Sequence, residues 1–256
     1  MKVASFNVNS LRARLKILFD WIEKESPEIL CLQETKVTDG DFPQKEFEKL
    51  GFHVIFRGEK TFNGVAIASK IPFEDTLYGF EDSSEATRLI SAKIRGIHII
   101  NTYVPQGFHP LSEKFREKLD WLQRLYYYFK ENYKPRMSII WTGDFNIAPE
   151  SKDVYDPDLL KGHVGFHPDE HAVLSKFKEW GFIDVFRLHN SEGGQYTFWD
   201  YTIKNAVKKA MGWRIDHIWA TRSIAEKSIR AWIDISQRLL EKPSDHTPVV
   251  AEFKIT

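Results

Sequence analysis

Glu28-Ile29-Leu30-Cys31-Leu32-Gln33-Glu34-Thr35-Lys36 is the stretch on which the fold turns. A strand with one wet face alternates apolar and polar residues, whereas one covered on both faces does not. Ile29 to Leu32 is unbroken apolar sequence, so Glu28 to Gln33 predicts a strand buried on both faces, with the Glu34 carboxylate directly at its end. Working outward, Val3 to Val8 reads as a preceding strand. Leu11, Leu15, Leu18 and Ile22 fall at helical spacing between the two, with Ser10 as the expected N-cap and Pro27 as the stop. Further strands are predicted at Phe52 to Phe56, Val65 to Ser69, Leu89 to Ile94 and Ile97 to Tyr103, the last two joined as a hairpin at Gly96. Ser112 to Tyr133 carries Phe115, Leu119, Leu122, Leu125, Tyr126 and Phe129 and predicts a long amphipathic helix. Then come a strand at Ile139 to Thr142, a helix at His171 to Trp180, and strands at Phe182 to Val185, Ile215 to Ala220, Ile229 to Ile233 and Pro248 to Phe253. Strands in both halves with interspersed helices predict a single α/β domain over residues 1–256, with two packed sheets and helices outside. Hairpins outnumber βα pairs, which argues against a closed βα barrel.

The 256 residues carry 36 basic and 36 acidic side chains, a formal net charge of zero. Such a balance weighs against general affinity for nucleic acid but leaves room for a local basic face. The lone cysteine, Cys31, excludes an internal disulfide and reads as a small core hydrophobe in a reducing compartment. Met1 to Asn7 is too polar for a signal peptide, and no apolar run has membrane-spanning length. The expected location is cytoplasmic.

Polar groups recur where strands end. Asn7 and Asn9 follow the first strand and Glu34 the second. Tyr103 and Gln106 close another, Asp144 and Asn146 another, Asp216 opens a late one, and Asp245-His246 precedes the last. Each has an ordinary structural explanation: a turn-forming Asn, a solvated Glu, an Asx cap at Asp245, a packed His. Only the set is informative. Carboxylates, amides, a phenol and an imidazole at one rim suit a hard cation such as Mg²⁺, or Mn²⁺ in its place, beside a phosphate. No thiolate cluster or H-E-x-x-H spacing supports Zn²⁺, and no Walker motif is present.

Ser5-Phe6-Asn7-Val8-Asn9-Ser10-Leu11-Arg12-Ala13-Arg14, Leu32-Gln33-Glu34-Thr35-Lys36, Tyr103-Val104-Pro105-Gln106-Gly107, Gly143-Asp144-Phe145-Asn146, Gly212-Trp213-Arg214-Ile215-Asp216 and Ser244-Asp245-His246 resemble, in order and across the whole chain, the successive motifs of the exonuclease III family of apurinic/apyrimidinic endonucleases. The resemblance implies a four-layer α/β sandwich, with two mixed sheets face to face and helices outside. It implies Mg²⁺-dependent cleavage of duplex DNA 5′ to abasic sites, leaving 3′-hydroxyl and 5′-deoxyribose phosphate ends, with 3′-5′ exonuclease and 3′-end-cleaning activity. It implies metal ligation by Glu34, Asn7 and Asp245, and water activation by Asp144. Asn146 would align water and phosphate. His246, oriented by Asp216, and Tyr103 would contact the phosphate, with Asn9, Gln106 and Asp153 in support. Broader relatives with the same rim are phosphatases on soluble or lipid phosphates, which is the alternative reading. A monomer with no obligate protein partner is expected.

The DNA contacts expected with this resemblance are Arg12, Lys36, Asn9, Gln106, Phe198, Trp213 and Arg214. Local basic clusters occur at Arg12, Arg14 and Lys16, at Lys114, Arg116 and Lys118, and at Lys204, Lys208 and Lys209; Lys60 adds to them. The middle one is interleaved with Glu113 and Glu117 and reads as a solvated helix face. Phe198, Trp213 and Ile218 are the expected walls of an apolar pocket for a flipped sugar, and the loop Tyr201 to Ala210 is a candidate for insertion into the duplex.

Overall fold

The computed structural model describes residues 1–255. Along the chain the strands are β1 (Lys2–Asn7), β2 (Ile29–Gln33), β3 (His53–Arg57), β4 (Val65–Ser69), β5 (Asp75–Tyr78), β6 (Leu89–Ile94), β7 (Ile97–Tyr103), β8 (Ile139–Asp144), β9 (Phe182–Asp184), β10 (Asp216–Thr221), β11 (Ser228–Ile233) and β12 (Val249–Phe253). The helices are α1 (Leu11–Glu25), α2 (Gln44–Lys49), α3 (Glu113–Asn132), α4 (Pro157–Leu160), α5 (Pro168–Trp180), α6 (Val185–His189) and α7 (Arg222–Ala225).

The strands form two six-stranded mixed sheets, ordered β11-β12-β1-β2-β4-β3 and β5-β6-β7-β8-β10-β9. Both follow one plan. Each has a single parallel pair near its centre, β1–β2 or β7–β8, and every other neighbour is antiparallel. Parallel strands need a crossover, and α1 and α3 supply it. On β2, Ile29 and Cys31 face the core between the sheets, while Leu30 and Leu32 face a second core shared with Leu18, Trp21 and Phe47 of α1 and α2. Two-sided burial is why that strand reads as an unbroken apolar run. The second sheet is covered by α3 and α5, where Leu125, Phe129 and Phe177 pack on Trp141 and Trp219. The result is the four-layer sandwich expected from the sequence.

A polar rivet crosses the inter-sheet core. Gln33 Nε2 donates to Ser5 Oγ at 3.0 Å and, across the gap, to Asn101 Oδ1 at 2.7 Å. Asn101 Nδ2 in turn donates to Leu32 O and Ala66 O. All three side chains are fully buried, so these bonds specify how the sheets dock. Burial also pushes the Cys31 thiol far up, as expected of a packed and unreactive cysteine.

Some elements differ from expectation. Edge strand β5 begins Asp75-Thr76 and is only partly covered, so it carries no apolar signal. Ser10 does not cap α1 with its side chain; its φ is 88° and its N–H donates to Glu34 O at 2.8 Å. The start of α1 is thereby tied to the end of β2. Helix α5 starts earlier, at Pro168, where His167 and Glu170 form a reciprocal cap. Val185 leaves its strand to open α6, because the Asp184 side chain caps that turn. Among the described residues no helix is long and apolar enough to cross a membrane.

Candidate active site

Asn7 ends β1 and Glu34 follows β2; Tyr103 ends β7 and Asp144 ends β8. The polar groups therefore stand at the carboxyl ends of both parallel pairs, where strand order in open α/β sheets leaves room for a ligand. Asn7 Nδ2 joins the two sheets, donating to Glu34 Oε1 at 2.8 Å and to Asp144 Oδ2 at 2.9 Å. Lys36 Nζ lies 2.7 Å from Glu34 Oε2 and donates to Asn9 Oδ1 at 2.6 Å. Asn9 Nδ2 donates to Asp245 Oδ1 at 2.9 Å, closing the rim toward the C-terminus. On the far side the Asn146 N–H donates to Asp144 Oδ1 at 2.8 Å, and its Nδ2 donates to Val104 O at 2.9 Å. His246 Nδ1 bonds Asp216 Oδ2 at 2.8 Å, leaving Nε2 facing Asp144 Oδ2 at 3.8 Å.

The backbone is unusual at this rim. Asn9, Glu34, Lys36 and Asn146 all take left-handed φ values, between 40° and 52°. Such conformations cost on the order of 1–3 kcal/mol each outside glycine and persist only where surroundings hold them. Thr35 N and Lys36 N donate to Gly64 O and Asn63 O, and Leu11 N donates to Thr35 O, which clamps the Glu34 segment. Gly143, with φ 137°, lies so near β7 that a Cβ there would sit 1.9 Å from Thr102 O. Only glycine lets β8 deliver Asp144 to this point.

Electrostatics mark the same place. Burial, the Asp216 charge and the Glu34 charge push the Asp144 carboxyl well above the usual carboxylate range, against the pull of His246. Burial works against the charged His246 imidazole, yet Asp216 and Asp144 outweigh it and hold its proton far above the ordinary histidine range. Burial opposes ionisation of Glu34, but Lys36 reverses the balance and leaves its carboxyl lowered. Burial, with Glu34 and Asp144, pushes the Tyr103 phenol well up, so it remains a neutral donor.

Beside these groups lies a cleft of about 510 Å³. Glu34, Tyr103, Asn146 and His246 line its polar side, and Phe198 and Trp213 its apolar side. Phe198 packs on the His246 ring with centroids 4.9 Å apart. Ile218 is not a wall; it faces the core between the sheets, and Ile215 lines the cleft instead. The strand carrying Ile218 begins at Asp216, so Ile215, expected as its first residue, lies just before it. Leu160 at the end of α4, with Tyr155 and Val164 on either side of that helix, also lines the cleft, from a segment whose sequence carries no distinguishing signal.

Other expected residues land elsewhere. Arg214 is fully buried, bound to Asp153 through Nε at 2.7 Å and to Asp184 through Nη2 at 2.7 Å, so it cannot reach DNA. Asp153 belongs to that ion network and does not touch the cleft. Lys118 is likewise fully buried and not part of a solvated face. Lys36 is an internal counter-ion to Glu34 more than a free surface cation. Asn7 turns its Oδ1 to the Asn9 N–H at 3.0 Å, while its Nδ2 bridges the Glu34 and Asp144 carboxylates. Asp245 faces the cleft but is held by Asn9, and the acidic and imidazole atoms that cluster within 4.8 Å belong to Glu34, Asp144 and His246. Arg12 is exposed on the first turn of α1, Gln106 at the cleft edge, and Lys204, Lys208 and Lys209 on the loop after Phe198. That loop is no free arm: Tyr196, Trp199 and Ala206 give it a small core of its own.

Residues 4–246 match the Endonuclease/Exonuclease/phosphatase family. The chain is 35% identical to an exodeoxyribonuclease III of Haemophilus influenzae, covering 99% of this chain and 100% of that one. It superposes with a TM-score of 0.96 and 46% identity on an AP endonuclease from Archaeoglobus fulgidus, each chain covered completely. A 3′ phosphatase from Neisseria, solved with a product DNA hairpin, gives 0.95 and 33%, again over all of both chains.

Proposed function

The chain belongs to the endonuclease/exonuclease/phosphatase family and is a DNA-repair nuclease, and on that premise we propose that it cleaves duplex DNA 5′ to abasic sites, leaving 3′-hydroxyl and 5′-deoxyribose phosphate ends. Exonuclease and 3′-end-cleaning action at the same rim are part of the reading, since relatives named for each share the whole fold. The observation that carries it is the cleft itself: an acidic and imidazole rim opening directly onto an apolar wall of Phe198 and Trp213. A phosphate at the rim then has its sugar beside an aromatic surface, as a flipped sugar without a base would require.

The chemistry of the rim fits a divalent cation. Glu34 and Asp144 meet with Asp216 nearby, and burial together with these neighbouring negative charges drives the Asp144 carboxyl up in the metal-free protein, against the pull of His246. Glu34 would hold the ion, with Asp144 beside it in the same cluster, and Mg²⁺, with Mn²⁺ as a substitute, suits such oxygen donors. When bound, such an ion would supply Lewis-acid stabilisation of the charge that builds on the scissile phosphate and the leaving 3′ oxygen. The side chains do the rest. Asp144, fixed by Asn7 and the Asn146 N–H, accepts the proton of the attacking water. Asn146 aligns that water with phosphorus. Protonated His246, oriented by Asp216, and the Tyr103 hydroxyl donate to phosphate oxygens as charge builds. Arg12 and the lysines after Phe198 grip the backbone. A single catalytic domain acting as a cytosolic monomer completes the proposal.

The test is a duplex carrying one tetrahydrofuran abasic analogue, incubated with Mg²⁺ or EDTA. A nick 5′ to the analogue only with metal supports the reading. An intact duplex, with turnover of a soluble phosphate monoester, would replace it with a phosphatase.

A further inference from the structure

Between β8 and the loop that walls the cleft, the chain has no regular structure, so its backbone carbonyls need other partners. Three successive carbonyls find them in basic side chains from three different elements. Asn146 O accepts from Lys118 Nζ of α3 at 2.8 Å. Ile147 O accepts from His217 Nε2 of β10 at 2.9 Å, and Ala148 O from His171 Nε2 of α5 at 2.9 Å. The His217 proton is fixed on that nitrogen, because Arg214 Nη1 donates to Nδ1 and the ring is held neutral by burial and the guanidinium.

Lys118 is the member that reaches the reacting groups. Its side chain is wholly buried and its charge is met by Glu170 Oε1 at 2.5 Å, itself wholly buried. Besides Asn146, its ammonium donates to the carbonyl of Gln106, at the cleft edge, at 3.2 Å. Glu170 Oε2 accepts from Gly165 N at 2.8 Å and His167 N at 3.0 Å, and Gly165 lines the cleft. One buried ion pair thus holds the left-handed Asn146, the Gln106 edge and the Gly165 wall in fixed relation.

We propose that Lys118, with Glu170, is a positioning residue that sets the placement of Asn146 against Asp144 from beneath the site without touching DNA. This rests on the role given to Asn146 above. A pair buried only for stability needs no such targets; an apolar pair of similar volume would serve. Misplacement of an aligned group by about 1 Å can cost roughly a hundredfold in rate.

The experiment measures kcat, KM and thermal midpoint on the abasic duplex with Mg²⁺ for the wild type, Lys118→Met, Asn146→Ala and the two combined. Lys118→Met is expected to lower kcat about ten- to a hundredfold with KM little changed, and to add almost nothing once Asn146 is alanine, because both losses pass through one group. An unchanged kcat, or losses that multiply in full, would overturn the proposal. Lys118→Met/Glu170→Gln removes both charges while the glutamine oxygen still serves Gly165 and His167. It is expected to recover the thermal midpoint but not kcat; recovery of both means the pair is structural only. Full activity in Asn146→Ala would remove the premise itself, and that failure is read from this single variant alone.

Discussion

His246 meets Asp216 at 2.8 Å through Nδ1 and presents Nε2 toward Asp144 at 3.8 Å, so one imidazole stands between two buried carboxylates. Its proton is kept because Asp216 and Asp144 together outweigh the cost of burial. Asp216→Asn removes one charge and is expected to shift the alkaline limb of the pH–activity profile toward neutrality. The folded pKa of His246 lies above its unfolded value. The stability it confers is therefore complete below the ordinary histidine pKa and is lost as pH rises through the elevated one. Thermal midpoints of wild type and Asp216→Asn should accordingly differ most at acidic to neutral pH and converge in alkali. An unmoved alkaline limb would show that Asp216 does not control this proton.

Asp144 obeys the same sign. Its carboxyl is raised, so the metal-free protein loses stability as pH climbs through that elevated pKa. A cation that binds the ionised rim should stabilise more at pH 8 than at pH 5. Melting curves with and without Mg²⁺ check this, and Glu34→Gln should abolish most of the metal-dependent rise. A rise of equal size in that variant would place the ion elsewhere.

Trp213→Ala should weaken discrimination between an abasic duplex and an intact one. An apolar pocket wall of this kind is worth roughly 1–3 kcal/mol of selectivity. Nicking of both duplexes under identical conditions measures it. Selectivity preserved in full would assign Trp213 to packing alone.

Arg214→Leu should leave Asp184 buried without its partner and Asp153 with Arg187 alone, at a cost of about 3–5 kcal/mol. Urea unfolding would read the loss. Salt dependence of DNA binding should stay as in the wild type, since this guanidinium is hidden from solvent; a shallower slope would mean that it meets phosphate after all.

Much of this was legible from sequence where a strand has two covered faces or a hairpin has a glycine. Leu89–Ile94, Val65–Ser69 and Ile97–Tyr103 stand where the pattern puts them, with Arg95 and Gly96 turning at φ 48° and 72°. The rim residues were found because each follows a strand. What pattern could not give is which way a basic side chain points. Arg214 neighbours the exposed-looking Trp213 and offered no hint of burial. Lys118 did offer one: it lies at helical spacing between Phe115 and Leu122, on the apolar face of α3, where a solvated lysine has no place. The short helices α2, α4, α6 and α7 fall below the length at which periodicity can be read.

The two sheets of like plan carry a consequence for how this enzyme fails. Glu34 belongs to one sheet and Asp144 to the other, and the Asn7 amide spans the seam between them. Neither half owns a working centre. A slip of the seam by less than a bond length would break the Asn7 bridge while leaving both ladders of backbone bonds intact. Catalysis is therefore a gauge of docking between the sheets: on heating or in mild denaturant it should vanish while far-ultraviolet circular dichroism still reports a folded chain.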